Sequence, residues 1–238
     1  MIDTHCHLLP ALDDGPADEA AALDLAHALV ADGIDRVVCT PHYSSLFPTD
    51  EHVARERYAA LRRNLEVEKI PLRVELAAEI GPGHAVTAPL DVIERRSIAG
   101  KFALVEVQPE VAPTFFLAVV ERLHGAGLRI VFGHPERSDS LAQHLDLVDE
   151  LRQEGCLMQI VAPSLLGRWG SPVARLAWRL VDTGRADLLA SDAHGTRRRR
   201  VHLREAGAAI GSRVGAGVAE QLTIHGPAAL LDGSEAPA

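Results

Sequence analysis

What most constrains this chain is an alternation in its sequence. Short β-like runs are separated by longer amphipathic segments, and nearly every run ends in a side chain able to bind a metal ion. The runs fall at 1–5, 36–40, 73–79, 102–107, 129–132, 156–160 and 187–190, with helical segments at 18–32, 51–69, 113–126, 141–154 and 172–183. Ala22, Leu25, Ala26, Leu29 and Val30 recur at the spacing of one helix face, and Asp18 stands where a helix cap belongs. Such alternation predicts a parallel sheet with helices outside it, and seven runs suit a closed α/β barrel. An open doubly wound sheet is the rival. Neither G-x-G-x-x-G nor G-x-x-x-x-G-K-[ST] is present to support its nucleotide-binding form. At 238 residues the chain is expected to be one domain over 1–238, with a tail from Gly226 inclined to fray.

The polar groups fall at telling places. His5 and His7 close the first run, His42 follows the second, and Glu79 ends the third. Glu106 closes the fourth, His134 follows the fifth, and Asp192 with His194 follows the last; only 156–160 lacks such a group. In a parallel barrel the carboxyl ends of the strands converge on one face, where active sites form. Alternate residues of a strand share a side, so His5 and His7 reach one ion, as do Asp192 and His194, while Cys6 turns into packing. Imidazoles with carboxylates suit zinc, manganese or iron, and the lack of a thiolate set argues against a structural zinc site.

Other polar residues stay open at this level. Asp13-Asp14-Gly15-Pro16 reads equally as a solvated turn or as a carboxylate donor. Arg197 to Arg200 read as a solvated helix start or as phosphate-binding forks, and Arg137 has the same potential. Glu136 is a candidate to orient the neighbouring His134. His27, His52, His84, His124, His144, His202 and His225 read as surface or packing residues.

Composition excludes several functions. With 24 Lys and Arg against 33 Asp and Glu the formal charge is -9, which argues against a nucleic-acid partner. Hydrophobic residues at 47% and charged residues at 24% mark a soluble globular chain. No secretory signal pattern or membrane-length apolar run is seen, so the cytoplasm is the expected compartment, without membrane insertion. Cys6, Cys39 and Cys156 are followed six positions later by Leu12, Ser45 and Ala162, so the C-x5-R loop of a cysteine-based phosphatase is missing.

Taken in order, Asp3-Thr4-His5-Cys6-His7, Asp13-Asp14-Gly15-Pro16, Thr40-Pro41-His42, Ala78-Glu79-Ile80, Gly133-His134-Pro135-Glu136-Arg137 and Ser191-Asp192-Ala193-His194 resemble the polymerase-and-histidinol-phosphatase (PHP) family of metal-dependent hydrolases. Within it they look like the capsular-polysaccharide branch of bacterial protein-tyrosine phosphatases, the CpsB/YwqE type. The resemblance implies a distorted (β/α)7 TIM-like barrel holding three divalent metal ions, manganese foremost, with iron or zinc as alternatives. It implies one ion on His5, His7, Glu79 and Asp192, a second on Glu79, Glu106 and His134, and a third on Asp14, His42 and His194. Arg137 and one arginine after His194, with Arg199 favoured, correspond to phosphate-binding residues. The implied substrate is phosphotyrosine on a membrane-associated bacterial tyrosine kinase of polysaccharide biosynthesis. The sequences Glu106-Val107-Gln108-Pro109 and Val161-Ala162-Pro163-Ser164 depart from the branch, which leaves room for a different rim. A small-molecule phosphatase of the same superfamily and a non-catalytic metal-binding module are the competing readings.

Overall fold

The computed structural model describes residues 1–234. Among them nine strands form, all in parallel ladders: β1 (Ile2–Cys6), β2 (Arg36–Cys39), β3 (His42–Tyr43), β4 (Arg73–Leu76), β5 (Glu79–Ile80), β6 (Phe102–Glu106), β7 (Arg129–Gly133), β8 (Leu157–Val161) and β9 (Leu188–Ala190). They make two sheets, ordered β1-β2-β4 and β3-β5-β6-β7-β8-β9. Because β3 continues the path of β2 and β5 that of β4, these strands act as seven staves. The chain is therefore an α/β protein with a distorted, TIM-like (β/α)7 barrel.

The distortion has a local cause. Pro41 carries no N–H and cannot extend the β2 ladder, so pairing resumes only at His42. On the next stave the run expected at 73–79 also breaks. Ala77 donates to the Cys39 carbonyl, and Ala78 turns to the Arg96 carbonyl, both at 2.9 Å. Glu79 then re-enters the second sheet opposite His42.

Closure occurs between the first and last staves. Cys6 bridges Ala193 in parallel, the His7 N–H meets the Ala193 carbonyl at 2.9 Å, and the Asp192 N–H meets the His5 carbonyl at 2.9 Å. Fully buried Asp3 ties the same seam, accepting the Ser191 N–H at 3.0 Å and its hydroxyl at 2.5 Å. Burial pushes the Asp3 carboxyl up to about 6, although the Ser191 hydrogen bonds pull the other way.

Helices follow the strands where the sequence supplies caps. Asp18 accepts the Ala21 N–H at 2.8 Å to start Glu19–Ala31, and Asp50 accepts the His52 and Val53 N–H groups to start Glu51–Val67. Pro113 opens Pro113–Gly125, where its missing N–H costs nothing. The helix expected at 141–154 divides at His144 into Asp139–Gln143 and Leu145–Gln153. Beyond Ser171–Asp182, the chain forms Leu203–Val214, Ala216–Glu220, a π-helical turn at Gln221–His225 and Gly226–Leu231. The tail that was expected to fray from Gly226 is thus helical to Leu231, with Pro227 and Leu230 buried. Residues 235–238 lie outside the described ones.

Packing splits by strand parity. Val37, Cys39, Ala103, Val105, Ile130, Phe132 and Leu189 join the large cluster under the helices. Their neighbours Val38, Phe102, Leu104, Val131 and Leu188 form a second cluster with Leu230 and Leu231 of the last helix. Period-two alternation makes this second set the barrel interior, and the C-terminal helix plugs it at the amino end of the strands. Cys6, Ile80, Met158, Ile160 and Ala193 belong to the outer cluster. Their neighbours His5, His7, Glu79, Gln159 and Asp192 consequently face inward, above the apolar plug.

Candidate metal centre

Nine side chains meet at the carboxyl end of the barrel, and Glu79 lies at the middle. Its Oε1 is 2.8 Å from His134 Nε2; its Oε2 is 2.9 Å from His42 Nδ1, 3.3 Å from His7 Nε2 and 3.4 Å from His5 Nε2. Asp192 Oδ1 lies 3.6 Å from His5 Nε2 and 3.7 Å from His7 Nε2. Asp14 Oδ1 sits 3.1 Å from His194 Nε2 and 3.5 Å from His42 Nε2. The close donor groups are His7, Asp14, His42 and His194; His5, His7 and Asp192; His5, Glu79 and His134; and His42, Glu79 and Glu106. Glu106 thus joins Glu79 and His42, and it lines the same cavity as His134.

Behind these residues stand groups that fix the rings. The Gln159 amide donates to the Thr4 hydroxyl at 2.8 Å, which presents its carbonyl to His5 Nδ1 at 2.9 Å. That contact puts the proton on Nδ1 and leaves the Nε2 lone pair toward the carboxylates. Asp13 does the same for His7, at 2.7 Å from Nδ1, and the Val107 carbonyl for His134 at 3.1 Å. Glu136, considered above for that task, instead accepts the Val161 N–H at 3.1 Å. Backbone strain marks the centre too: His134, Asp192 and Arg199 hold φ of 41°, 50° and 48°, values that side chains other than glycine seldom adopt.

Electrostatics follow from burial and proximity. Burial alone lowers an imidazole, yet the adjacent carboxylates of Asp13 and Glu79 hold His7 up at about 9, and those of Asp14 and Glu79 hold His42 up at about 11. The same negative field that keeps protons there favours cations in their place. His134 and His194 go to about 4, chiefly through burial and, respectively, the Arg137 charge and His7. Burial would raise Asp192, but the Arg137 and Arg199 guanidinium groups hold it well below the usual carboxylate range. Glu106 moves up through burial and the neighbouring Glu79 charge.

Do these residues fit divalent cations? His5 Nε2, His7 Nε2, His42 Nδ1, His194 Nε2 and Glu79 Oε2 are all buried and make no hydrogen bond. An isolated orphan of this kind costs roughly 1–3 kcal/mol, and five in one cluster need a common remedy. Cations accept all five lone pairs, and a nitrogen-and-oxygen donor set without thiolate suits manganese, iron or zinc. The residues fit.

Arg137 and Arg199 close the site. Arg137 donates to Asp192 Oδ2 at 2.7 Å; Arg199 donates to both Asp192 oxygens at 2.8 and 2.9 Å and to Asp14 at 3.1 Å. Their Nε atoms are buried and unpartnered. Of the arginine run, only Arg199 turns into the centre. Above lies a cavity of about 340 Å³, with Phe47 stacked on His42 at 5.3 Å between ring centroids. His84, read from sequence as a surface or packing residue, lines this cavity, with its ring 4.5 Å from Tyr43. Gln159 and Asp13 are the other functional residues that sequence reasoning left unassigned. Inward parity on strand 156–160 was the available signal for Gln159; nothing distinguished Asp13 from Asp14.

No thiol competes for the chemistry. Cys6, Cys39 and Cys156 are buried and free, and burial pushes the Cys6 and Cys39 thiols far up and that of Cys156 to about 12.

Fold and site together define a TIM-like barrel with a histidine–carboxylate cluster, fit for metal ions, at the carboxyl ends of its strands. The chain belongs to the capsular polysaccharide synthesis CpsB/CapC family, whose model matches residues 1–232. It is 33% identical to the tyrosine-protein phosphatase YwqE of Bacillus subtilis over 208 residues, covering 87% of this chain and 82% of that one. It is 24% identical to the tyrosine-protein phosphatase CpsB of Streptococcus pneumoniae over 241 residues, covering 97% and 98%. A solved chain from the work on YwqE and CpsB, described as unique metal-dependent tyrosine phosphatases, superposes with a TM-score of 0.88 at 30% identity, covering 98% of this chain and 95% of that one. The phosphotriesterase homology protein of Escherichia coli, at 13% identity and a TM-score of 0.55, shares the fold.

Proposed function

We propose that this chain is a metal-dependent phosphatase that hydrolyses phosphotyrosine on protein. Its substrate is a membrane-associated bacterial tyrosine kinase of polysaccharide biosynthesis, met in the cytoplasm. The observation that carries the reading is a juxtaposition. Five orphaned metal-donor atoms lie directly beneath two arginines whose Nε–H groups are buried without acceptors. A phosphoryl group, with anionic oxygens on several sides, satisfies both needs at once.

In this reading three divalent cations, manganese foremost, are held by His5, His7, Glu79 and Asp192; by Glu79, Glu106 and His134; and by Asp14, His42 and His194. When bound they activate water at neutral pH and offset the charge spread over the transferring phosphoryl group. The protein's own part is positioning. Gln159 and Asp13 set the tautomers of His5 and His7, so that both rings enter with fixed lone pairs. Arg137 and Arg199 supply the N–H donors to the phosphoryl oxygens, and their planar forks orient the group for in-line displacement. Phe47 stacks on His42 and holds its ring at the cavity wall. The leaving phenolate departs toward the open mouth, which suits a side chain presented by a protein.

Kinetics on a phosphotyrosyl peptide, free phosphotyrosine and histidinol phosphate test this directly. The peptide is expected to give the highest kcat/KM of the three with the manganese-loaded protein. A clear preference for histidinol phosphate would replace the protein substrate by a small molecule, and bound metal with no turnover of any phosphoester would make the chain a binding module.

A further inference from the structure

We infer that a second cavity beside the metal centre is a subsite for an anionic stretch of the substrate polypeptide, so that this chain selects phosphotyrosines set in acidic sequence. The inference rests on the phosphatase reading above and adds the class of substrate sequence to it.

The cavity, of about 340 Å³, is lined by Arg168, Trp169 and Arg197 to Arg200, with Pro163 as an apolar patch. It adjoins the catalytic cavity, because Trp169 and Arg199 line both. Trp169 is 44% exposed and forms the dividing wall, with the Arg137 guanidinium 4.5 Å and that of Arg199 5.9 Å from its ring centroid. These cation–π contacts fix the indole upright between the two spaces. A polypeptide whose phosphotyrosine enters one cavity therefore passes its neighbouring residues over Trp169 into the other.

Charge identifies what those residues are. Several arginines elsewhere pair with acids, Arg152 with Asp187 at 2.8 Å, Arg185 with Asp149 at 2.7 Å and Arg213 with Asp182 at 2.6 Å, and others stand singly on the surface; what sets this group apart is that it is clustered. Arg168, Arg197, Arg198 and Arg200 are exposed and, among the described residues, have no acidic partner. In a chain with 33 acidic against 24 basic side chains, four unpaired guanidinium groups around one concavity mark a place for oxyanions. Carboxylate and phosphate ester share that chemistry. A nucleic acid or an anionic membrane would meet a molecule of net charge -9 and would need an extended basic face rather than one small concavity.

The test uses matched phosphotyrosyl peptides whose flanks carry glutamates, further phosphotyrosines, or only serine and glycine. The metal-loaded wild type is compared with the combined variant R168Q, R197Q, R198Q and R200Q. The readout is the ratio of kcat/KM for anionic over neutral flanks, which is independent of the fraction of each preparation that is active. The wild type is expected to prefer one or both anionic flanks by about tenfold at low ionic strength, the sum of four weak exposed pairings. Salt should shrink the preference, and the variant should bring it near unity through KM; the two anionic flanks show whether carboxylate or phosphate is taken. A wild-type ratio near one, or a preference that survives in the variant, overturns the inference while leaving the phosphatase reading intact. Arginine-dependent binding of phosphatidylglycerol vesicles or single-stranded RNA without peptide preference overturns it too. Failure of the wild type to turn over any peptide overturns the phosphatase reading, and the inference with it.

Discussion

The Asp13 carboxylate lies 2.7 Å from Nδ1 of His7, and the same Oδ2 accepts the His42 N–H at 2.9 Å. One acidic side chain from the first loop thereby aims one imidazole and anchors the backbone of another, while its neighbour Asp14 turns toward His42 and His194. Asp13→Asn is expected to weaken metal binding roughly 10- to 100-fold, as removal of such an orienting partner does. Calorimetric titration of manganese into metal-stripped protein measures this, and an affinity within twofold of wild type would deny Asp13 its role.

Gln159 supports His5 from the opposite side. Gln159→Leu leaves the His5 Nδ1–H and the Thr4 hydroxyl without their partner in a fully buried site. Metal affinity should fall by a similar factor of roughly 10 to 100. Gln159→Glu, which retains an acceptor for Nδ1, should recover most of it; equal losses for both variants would point to packing rather than orientation.

The thiols should be spectators. Cys6→Ser is expected to keep most phosphatase activity, and iodoacetamide at neutral pH should leave all three cysteines of the native protein unmodified, given their burial and raised pKa values. Loss of activity in step with alkylation of one cysteine would argue for a thiol mechanism.

Removing the arginines separates binding from support. Arg137→Ala and Arg199→Ala should each lower kcat/KM by about 10²–10³, the scale for losing a donor to a developing anion. Metal content should change little in Arg137→Ala. Steady-state kinetics alongside metal analysis would reveal the opposite case, in which activity loss merely follows metal loss.

Stability depends on a glycine at the far end of the barrel. A Cβ on Gly226 would sit 2.9 Å from the Gln221 carbonyl oxygen and 3.0 Å from that of Asp187. Gly226→Ala must therefore shift the plugging helix, at a cost of about 1–3 kcal/mol. Thermal denaturation should show the lowered midpoint, with kcat nearly unchanged at temperatures where the variant stays folded.

Much of the fold and centre was legible because two periodicities coincide. Runs of β-branched and apolar residues fix the strands, and His5-x-His7 or Asp192-x-His194 at their ends fix which face the donors share. Less visible were features decided by tertiary partners. Pro41 splits a stave because its missing N–H matters only once β2 has a neighbour to pair with. Gln159 resembles any strand glutamine until Thr4 turns its amide. The last helices were missed because Gly and Pro recur through 206–229; burial holds them, through Leu203, Ala206, Ile210 and Leu222 in the outer cluster and Leu230 and Leu231 against Val38 and Leu188. His84 reaches the cavity by way of the short helix Pro82–Thr87, which has no apolar period long enough to read.

The central claim is that this chain's phosphotyrosine hydrolysis depends on cations held by the histidine–carboxylate centre. It is tested most directly by phosphate release from a phosphotyrosyl peptide, before chelation, after exhaustive chelation, and after addition of manganese, in the wild type and in His5→Ala. The wild type should fall to background on chelation and recover with manganese, whereas His5→Ala should stay near background throughout. Undiminished turnover by the chelated wild type, or wild-type rates in His5→Ala, would contradict it.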